Sequence, residues 1–337
     1  MLNFNDDRFI SIENAGLAVE PELDAIIARL LGDGARNLFF LGAGGVMFLT
    51  QPAYNLLRTR STFPVFYEMG AELVVTGHRH LGPGSIVVTP SVSGTTQEAV
   101  AALEYAKAAG ATLITFTGTA DTPIGALADH NFTCPVVDDT SSEMYYLQTL
   151  LVALSVMKAR GEIDDYDQVV AELKSLPPLL VAVKHAFDDR ARALAEAIAA
   201  DNYHILTGSG PAWTQAHYYG MCILEEMQWI RTRPVHASDF FHGTLELVEP
   251  GVSVIILKGE DETRPLVERV EAFAPRFTDK VHVLDTTDFD LPGISARTRA
   301  LISQVLLATA LERVSAHLEV IRDHPLTTRR YYKQFAY

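Results

Sequence analysis

Cysteine, long apolar runs and a leader pattern are all scarce in this sequence. Its 337 residues include only two cysteines, Cys134 and Cys222, which are too few for a disulfide framework or a cysteine-rich zinc site. No run of eighteen apolar residues occurs, and the acidic N-terminus lacks the basic and apolar regions of a signal peptide. We therefore expect a reduced, cytoplasmic protein that does not span a membrane.

Positive charge is also in short supply. Lysine and arginine together number 27, against 42 aspartates and glutamates, so the formal net charge is -15 and the pI is about 5.1. A surface of this sign repels nucleic acid and anionic membranes, and we expect neither as a partner. Any anionic substrate must be held by local hydrogen-bond donors.

The chain contains an internal repeat. Two apolar runs that enter glycine turns, Asn37–Gly42 and Tyr203–Gly208, are typical of buried parallel strands, and their last glycines lie 166 residues apart. Farther along, Pro83–Thr96 aligns without a gap on Pro250–Thr263 at an offset of 167 residues. Each of these segments has the pattern of a turn, an apolar strand and a polar loop, and a helical pattern follows each.

This alternation of strands with helices of ten or more residues predicts parallel sheets that are covered on both faces. The expected fold class is therefore α/β, with two tandem doubly wound, flavodoxin-like domains related by internal duplication.

Helical patterns separate the two halves of the repeat. An apolar helix is predicted over 141–160, and shorter helical pieces over 166–192, broken at Pro177-Pro178. A last long helix is predicted over 297–321. We place a first domain at 1–175, a second domain at 176–323 and a C-terminal tail at 324–337.

The polar loop Ser91–Thr96 lies between a predicted strand end and a predicted helix start. Free backbone N–H groups and the positive end of the helix dipole favour an anion there, and hydroxyl groups add donors. The alternative is that Ser93, Thr95 and Thr96 only cap the helix. In the second half, Lys258–Thr263 replaces the hydroxyl cluster with three carboxylates. Because both helices need a cap, this difference favours an anion site in the first half.

Two motifs resemble a known family. The S-x-S-G-x-T loop, preceded about fifty residues earlier by a glycine turn, is similar to the sugar-phosphate loop of sugar isomerase (SIS) domains. In the second half, Glu226-Met-Gln-Trp-Ile is followed by Phe-His-Gly, with His242 sixteen residues after the glutamate. This arrangement resembles the isomerase half of glucosamine-6-phosphate synthase and the fructosamine-6-phosphate deglycases, which are both double-SIS enzymes.

The resemblance implies a role for each matching residue. Glu226 would be the base that moves a proton between C1 and C2 of an open-chain phosphosugar. His242 would assist ring opening, reaching across the interface of a homodimer, and Lys333 in the tail would close over the sugar. The remaining positions would bind the substrate and its phosphate: Gly42, Gly44, Ser91, Ser93, Thr95 and Thr96.

The chemistry suits these residue types. One carboxylate with a pKa raised by partial burial can make both proton transfers, and an imidazole can protonate the ring oxygen near neutral pH. We therefore expect no cofactor and no metal. His78 and His80 have a spacing that suggests a metal, but no third ligand is evident.

Three departures from the synthase bear on the reaction. The sequence shows no glutaminase domain with a leading cysteine, Ile223 stands where the synthase has a lysine, and Val46 stands where many relatives have a serine. These departures favour a deglycase that cleaves a 6-phosphorylated fructosamine amino acid to glucose 6-phosphate and a free amine. The alternatives are a phosphosugar aldose-ketose isomerase, an aminosugar phosphate isomerase or deaminase, and a non-catalytic phosphosugar sensor.

The two catalytic candidates also have structural alternatives. Glu226 is predicted to end an amphipathic helix, where a surface carboxylate is usual. The alternative for His242 is a loop histidine that bonds to the backbone. His236, in the same loop, is a competing candidate for the ring-opening acid.

Overall fold

Two parallel sheets organise the computed structural model, which describes residues 1–136, 141–201, 203–332 and 334–335. The first sheet consists of five strands: β1 (Asn37–Gly42), β2 (Val65–Met69), β3 (Ser85–Ser91), β4 (Thr112–Thr117) and β5 (His130–Thr133). Their order across the sheet is β2-β1-β3-β4-β5, and every neighbouring pair is parallel. The strand order reverses beside β1, and ligands of open α/β sheets bind at such a point.

The second sheet repeats this order with one strand fewer. Its strands are β6 (Tyr203–Gly208), β7 (Arg231–His236), β8 (Ser253–Lys258) and β9 (Val281–Asp285). Their order is β7-β6-β8-β9, again with all neighbours parallel. Both β1 and β6 occupy the same place in their sheets, as do β3 and β8, so the predicted fold class of two doubly wound α/β units is confirmed.

Helices flank the first sheet because each has an apolar face to bury. They are α1 (Asp6–Leu17), α2 (Glu20–Gly32), α3 (Gly45–Arg60), α4 (Gly70–Thr76), α5 (Gln97–Ala108), α6 (Pro123–Leu127), α7 (Ser141–Ala159) and α8 (Tyr166–Lys174). The α4 and α5 side of the sheet forms a core that includes Phe39, Val87, Leu103 and Leu113, all fully buried. Each such side chain contributes about 1.5–3 kcal/mol by leaving water.

The second sheet is flanked in the same way. Its helices are α9 (Leu176–Ile198), α10 (Gly210–Tyr218), α11 (Arg264–Phe273), α12 (Ala296–Leu301) and α13 (Ser303–Ile321), and a π-helical segment, Tyr219–Glu225, continues α10. A second core includes Ile205, Val254, Ile256 and Val267. No helix among the described residues is long and apolar enough to span a membrane.

The chain folds as two compact units, Asp6–Pro177 and a second unit that joins Met1–Asn5 to Pro178–Tyr337. The first residues belong to the second unit because the buried Arg313 donates to the Leu2 carbonyl at 2.9 Å and lies 5.7 Å from the Phe4 ring.

The expected break in the helical pattern over 166–192 is present, but it lies at Ser175, between α8 and α9. Pro177 and Pro178 follow it in the first turn of α9, where a missing N–H costs nothing. The expectation of one last long helix was wrong. The last long helix is interrupted at Ile302, so α12 and α13 are separate helices.

Candidate active site

The hydroxyl-rich loop Ser91–Thr96 joins β3 to α5 in the first unit. Ser93 and Thr95 are exposed, while Ser91 is buried and its Oγ accepts the Gly94 N–H at 3.1 Å. Thr96 is the N-cap residue of α5, yet within the described structure its side chain makes no capping hydrogen bond. The first N–H groups of this 12-residue helix are therefore not taken by a hydroxyl cap, which disfavours the purely structural interpretation of the loop.

The glycine turn after β1 contains the two predicted substrate-binding glycines. A Cβ on Gly42 would lie 2.9 Å from the Met47 backbone nitrogen, so the close packing of α3 against β1 accounts for this glycine. Gly44 has φ +56, and a Cβ built on it would meet no described atom within 4 Å. Its backbone conformation favours glycine, and the space in front of it is open.

The corresponding loop of the second unit is occupied by its own charges. Lys258 Nζ lies 3.2 Å from Asp285 Oδ2, and the two carboxylate oxygens of Glu260 accept from Arg299 at 2.8 and 2.9 Å. These pairs are half-buried or buried, so they fix the loop in place. Among the described residues of this loop, paired charged side chains stand where the first unit has its hydroxyl cluster.

The predicted base, Glu226, lies in the second unit directly after the π-helical segment. Its N–H donates to the Met221 carbonyl at 3.1 Å, which is the five-residue spacing of a π-helix. Such segments often mark functional sites. The sequence pattern did not reveal the π-helix and predicted a regular amphipathic helix instead.

Glu226 lines a cavity of about 950 Å³ within the second unit. Acidic, basic and aromatic side chains make up most of the wall. The lining residues are Tyr203, Glu225, Glu226, Trp229, Ile230, Arg231, Thr232, Arg329, Arg330, Tyr331 and Tyr332. A cavity of this size, with charged and aromatic side chains in its wall, can admit a sugar phosphate or a molecule of similar size.

Glu226 forms an ion pair with Arg329, in which Nε lies 3.0 Å from Oε1. The side chains are 32% and 17% exposed, respectively, so the pair is partly shielded from water. Partial burial raises the pKa of the Tyr332 hydroxyl, and the negative charge of Glu226 raises it further. Burial, with Glu226 and Glu225 nearby, likewise raises the pKa of the Cys222 thiol to about 12.

The neighbouring Glu225 has a different environment. Its Oε1 accepts from the Thr232 backbone N–H at 3.2 Å and from the Thr232 hydroxyl at 2.6 Å. Glu225 thus ties the end of the π-helical segment to β7. Of the two adjacent carboxylates, Glu226 is the one paired with the tail.

The C-terminal tail, residues 324–332, lies along the cavity wall. The His324 ring contacts the Trp229 ring at 4.4 Å, and the guanidinium of Arg330 lies 3.7 Å from the centre of the same indole. Trp229 has φ +55, a conformation that is costly for a bulky residue, so the surrounding contacts must hold it. Lys333, the predicted tail residue, lies outside the described residues.

Arg329 is the site residue that the sequence did not identify. Arg329 and Glu226 are 103 residues apart in sequence, so no local pattern links them. The concentration of arginine and tyrosine in the tail was the available signal.

His242 is not close to Glu226 within one chain. It ends a short 3-10 helix, Phe240–His242, after β7, whereas Glu226 precedes β7, and its side chain is exposed. The six residues of β7 span roughly 20 Å. The expectation that His242 acts across a dimer interface stays a prediction. His236 is half-buried, and burial lowers its pKa.

His78 and His80 pack against an aromatic side chain in the first unit. Their rings lie 4.6 and 5.3 Å, respectively, from that of Phe66, and His78 Nε2 is 3.8 Å from Glu68 Oε1. Among the described residues, no group of three or more His, Cys, Asp or Glu side chains is arranged to hold a metal.

Comparisons with known proteins agree with this architecture. The SIS domain model matches residues 33–158. Fructosamine deglycase FrlB of Bacillus subtilis is 28% identical over 325 residues, which cover 95% of this chain and 98% of the relative. Fructoselysine 6-phosphate deglycase of Escherichia coli is 27% identical over 312 residues, which cover 93% and 90%.

A solved structure from B. subtilis, described as a candidate phosphosugar isomerase, superposes with a TM-score of 0.88 at 27% identity and covers 96% of this chain and 99% of that one. The resemblance seen in the sequence is thus confirmed: residues 33–158 match the SIS domain model, and the chain shares the fold of this solved relative over nearly its whole length.

Proposed function

We propose that this protein is a deglycase that cleaves 6-phosphorylated fructosamine amino acids to glucose 6-phosphate and the free amine. The observation that carries the proposal is the position of Glu226, on the wall of a 950 Å³ cavity and held by Arg329. Similarity to two named deglycases over more than nine-tenths of the chain supports it. That similarity identifies the chain as an enzyme.

The proposed reaction needs only proton transfers and water. Glu226 removes a proton from C1 of the open-chain sugar, and the C2 oxygen gains a proton to give an enaminol. C2 then receives a proton while the nitrogen loses one, which leaves a C1=N imine. Water adds to C1, the C1–N bond breaks, and the amine departs with a proton. A positioned carboxylate can serve both proton transfers at carbon.

The other predicted residues take supporting roles in this proposal. The Ser91–Thr96 loop and the open face of Gly44 bind the phosphate, and His242 protonates the ring oxygen from the partner chain of a homodimer. The uncapped helix start and the exposed hydroxyls of the loop support the first of these roles.

An aldose-ketose isomerase is the second candidate, because the same C1/C2 proton transfer without imine hydrolysis would interconvert two phosphosugars. The description of the solved relative as a candidate phosphosugar isomerase favours it. A non-catalytic phosphosugar sensor is the third, and it requires that no turnover be found.

The test is to incubate the protein with several 6-phosphofructosyl amino acids and to measure glucose 6-phosphate. We expect release from at least one of them. No release from any, together with interconversion of fructose 6-phosphate and an aldose phosphate, would replace the deglycase with the isomerase. The absence of both activities would favour the sensor.

Glu226→Gln keeps the shape of the side chain and removes its basicity. We expect turnover to fall by about 1000-fold or more, since a general base contributes on that order. The matched control is Glu225→Gln, one residue away on the same wall, which should retain most of the turnover. Equal activity of the two variants would remove Glu226 from the mechanism.

A further inference from the structure

The cavity wall carries two arginines that its own acids do not neutralise. Of the charged lining residues, Glu226 is paired with Arg329 and Glu225 is bonded to Thr232. In the described part of the chain, neither Arg231 nor Arg330 has a carboxylate within the 4.0 Å of an ion pair. A chain with 42 acidic residues against 27 basic ones has ample carboxylates for such pairs, so these two exposed guanidinium groups are available to an anion.

Both arginines stand on structured parts of the wall. Arg231 is the first residue of β7, and Arg330 lies in the tail with its guanidinium 3.7 Å from the centre of the Trp229 ring. A guanidinium that stacks by its face keeps the N–H donors of its edge for a carboxylate. The left-handed conformation of Trp229 sets the direction of this platform.

The geometry of the proposed substrate places a carboxylate beside the reacting carbon. In a fructosamine formed from the α-amino group of an amino acid, three single bonds separate C1 from the carboxylate carbon, a distance of roughly 4 Å. When Glu226 reaches C1, that carboxylate lies within the same cavity, where a cation on the wall would complement its charge. Arg231 and Arg330 line the same cavity.

We infer that Arg231 and Arg330 bind the carboxylate of the amino acid carried by the sugar, and so determine specificity for fructosamines of amino acids over those of simple amines. This inference rests on the proposed deglycase function and names the residues that recognise the amine portion of its substrate.

The test compares two substrates that differ only in the carboxylate, 6-phosphofructosylglycine and 6-phosphofructosyl-methylamine. For the full chain, kcat/KM for glucose 6-phosphate release should be higher with the glycine conjugate. In Arg231→Gln and in Arg330→Gln, it should fall by about 10- to 100-fold for the glycine conjugate and far less for the methylamine conjugate. Arg231→Lys should recover part of the preference.

Arg233→Gln is the matched control, because Arg233 is on the same strand but does not line the cavity. It should leave the ratio of the two kcat/KM values unchanged. Since Arg231 and Arg233 are exposed, thermal unfolding of their variants should match that of the parent, whereas Arg330→Gln loses its contact with Trp229 and should unfold at a slightly lower temperature.

The outcomes separate the two proposals. Equal turnover of both conjugates by the parent, or an equal fall for both in the variants, would overturn the role of Arg231 and Arg330 and leave the deglycase in place. Release from neither conjugate, nor from any other 6-phosphofructosyl amino acid, would overturn the deglycase and this inference with it.

Discussion

The glycine turns of the two units each have a glycine with positive φ at the same place in the repeat, but the space beside that glycine differs between them. Gly44 and Gly210 lie 166 residues apart and have φ of +56 and +53. A Cβ on Gly44 would meet no described atom within 4 Å, whereas one on Gly210 would come within 2.5 Å of both Asp261 Oδ1 and Thr263 Oγ1. The space beside the turn is therefore open in the first unit, whereas side chains of the following loop fill it in the second.

The difference shows how a duplicated site can become structural. Asp261 Oδ1 accepts the Thr263 N–H at 2.9 Å and its hydroxyl at 2.6 Å, so a carboxylate of the chain takes hydrogen bonds that a bound anion would otherwise accept. If the first loop binds phosphate as proposed, the carboxylate of Asp261 takes the place of that phosphate in the second loop.

The sheets differ in a similar way at one buried position. Leu38 of β1 corresponds to His204 of β6 at the same offset of 166 residues, and both are fully buried. Burial lowers the pKa of His204 to about 4, against the opposing effect of Asp201. The second sheet thus contains an acid-sensitive group at a position where the first sheet has a hydrocarbon.

His204→Leu gives the second sheet the residue type that the first sheet has at this position. Of the three changes considered, it should have the largest effect. The pKa of His204 in the folded protein, about 4, lies below its ordinary value of 6.5, so the unfolded state binds the proton first as the pH falls. The contribution of neutral His204 to the free energy of unfolding is fully present above pH 6.5. It decreases by about 3 kcal/mol as the pH falls to 4. Urea unfolding from pH 7.5 to 4 should show this loss in the parent and much less of it in the variant.

Titration of carboxylates will contribute equally to both proteins, so the difference between the two curves isolates His204. Parallel curves would mean that the protonation of His204 does not affect folding.

Thr95→Glu should have the next largest effect, because Glu262 is the residue that the second loop has at this place. Thr95 is exposed, so the fold should tolerate the change, but a carboxylate beside a bound phosphate repels it. We expect the affinity for glucose 6-phosphate, measured by calorimetry, to fall roughly 30-fold or more. The reciprocal change, Glu262→Thr, should leave that affinity unaltered. If both changes weakened binding equally, the contrast between the loops would not hold.

Asp261→Ala should have the smallest effect, and that effect should be a loss of stability. Removing the acceptor of two local hydrogen bonds should lower the free energy of unfolding by about 1 kcal/mol. KM should not change. Ser93→Ala in the first loop is the mirror experiment, with KM raised and urea unfolding unaltered. A raised KM in Asp261→Ala would indicate that the second loop also takes part in binding.

The elements that the sequence predicted well are those with a strong local signal. Strand β1 occupies Asn37–Gly42 as expected, because a short apolar run beside a glycine turn has few alternatives in a parallel sheet. The internal offset then located β8 from β3. Because the chain is an internal duplication, a strand recognised in one unit predicts the position of the matching strand in the other.

The elements that it missed depend on tertiary context. The π-helical segment has no distinct residue pattern, and the pair of Arg329 with Glu226 joins segments more than one hundred residues apart in sequence. The candidate base could be chosen from a motif, but its partner could not.

The π-helical segment also bears on how such a site can change over generations. Because a π-helical turn holds one residue more than an α-helical turn, deleting one residue from Tyr219–Glu225 would let the segment close as a regular α-helix. Two glutamates stand side by side there, one bonded to a neighbouring strand and the other paired with the tail. Insertion of a single residue into a regular helix is thus the smallest inherited change that could produce the segment at whose end these two acids stand.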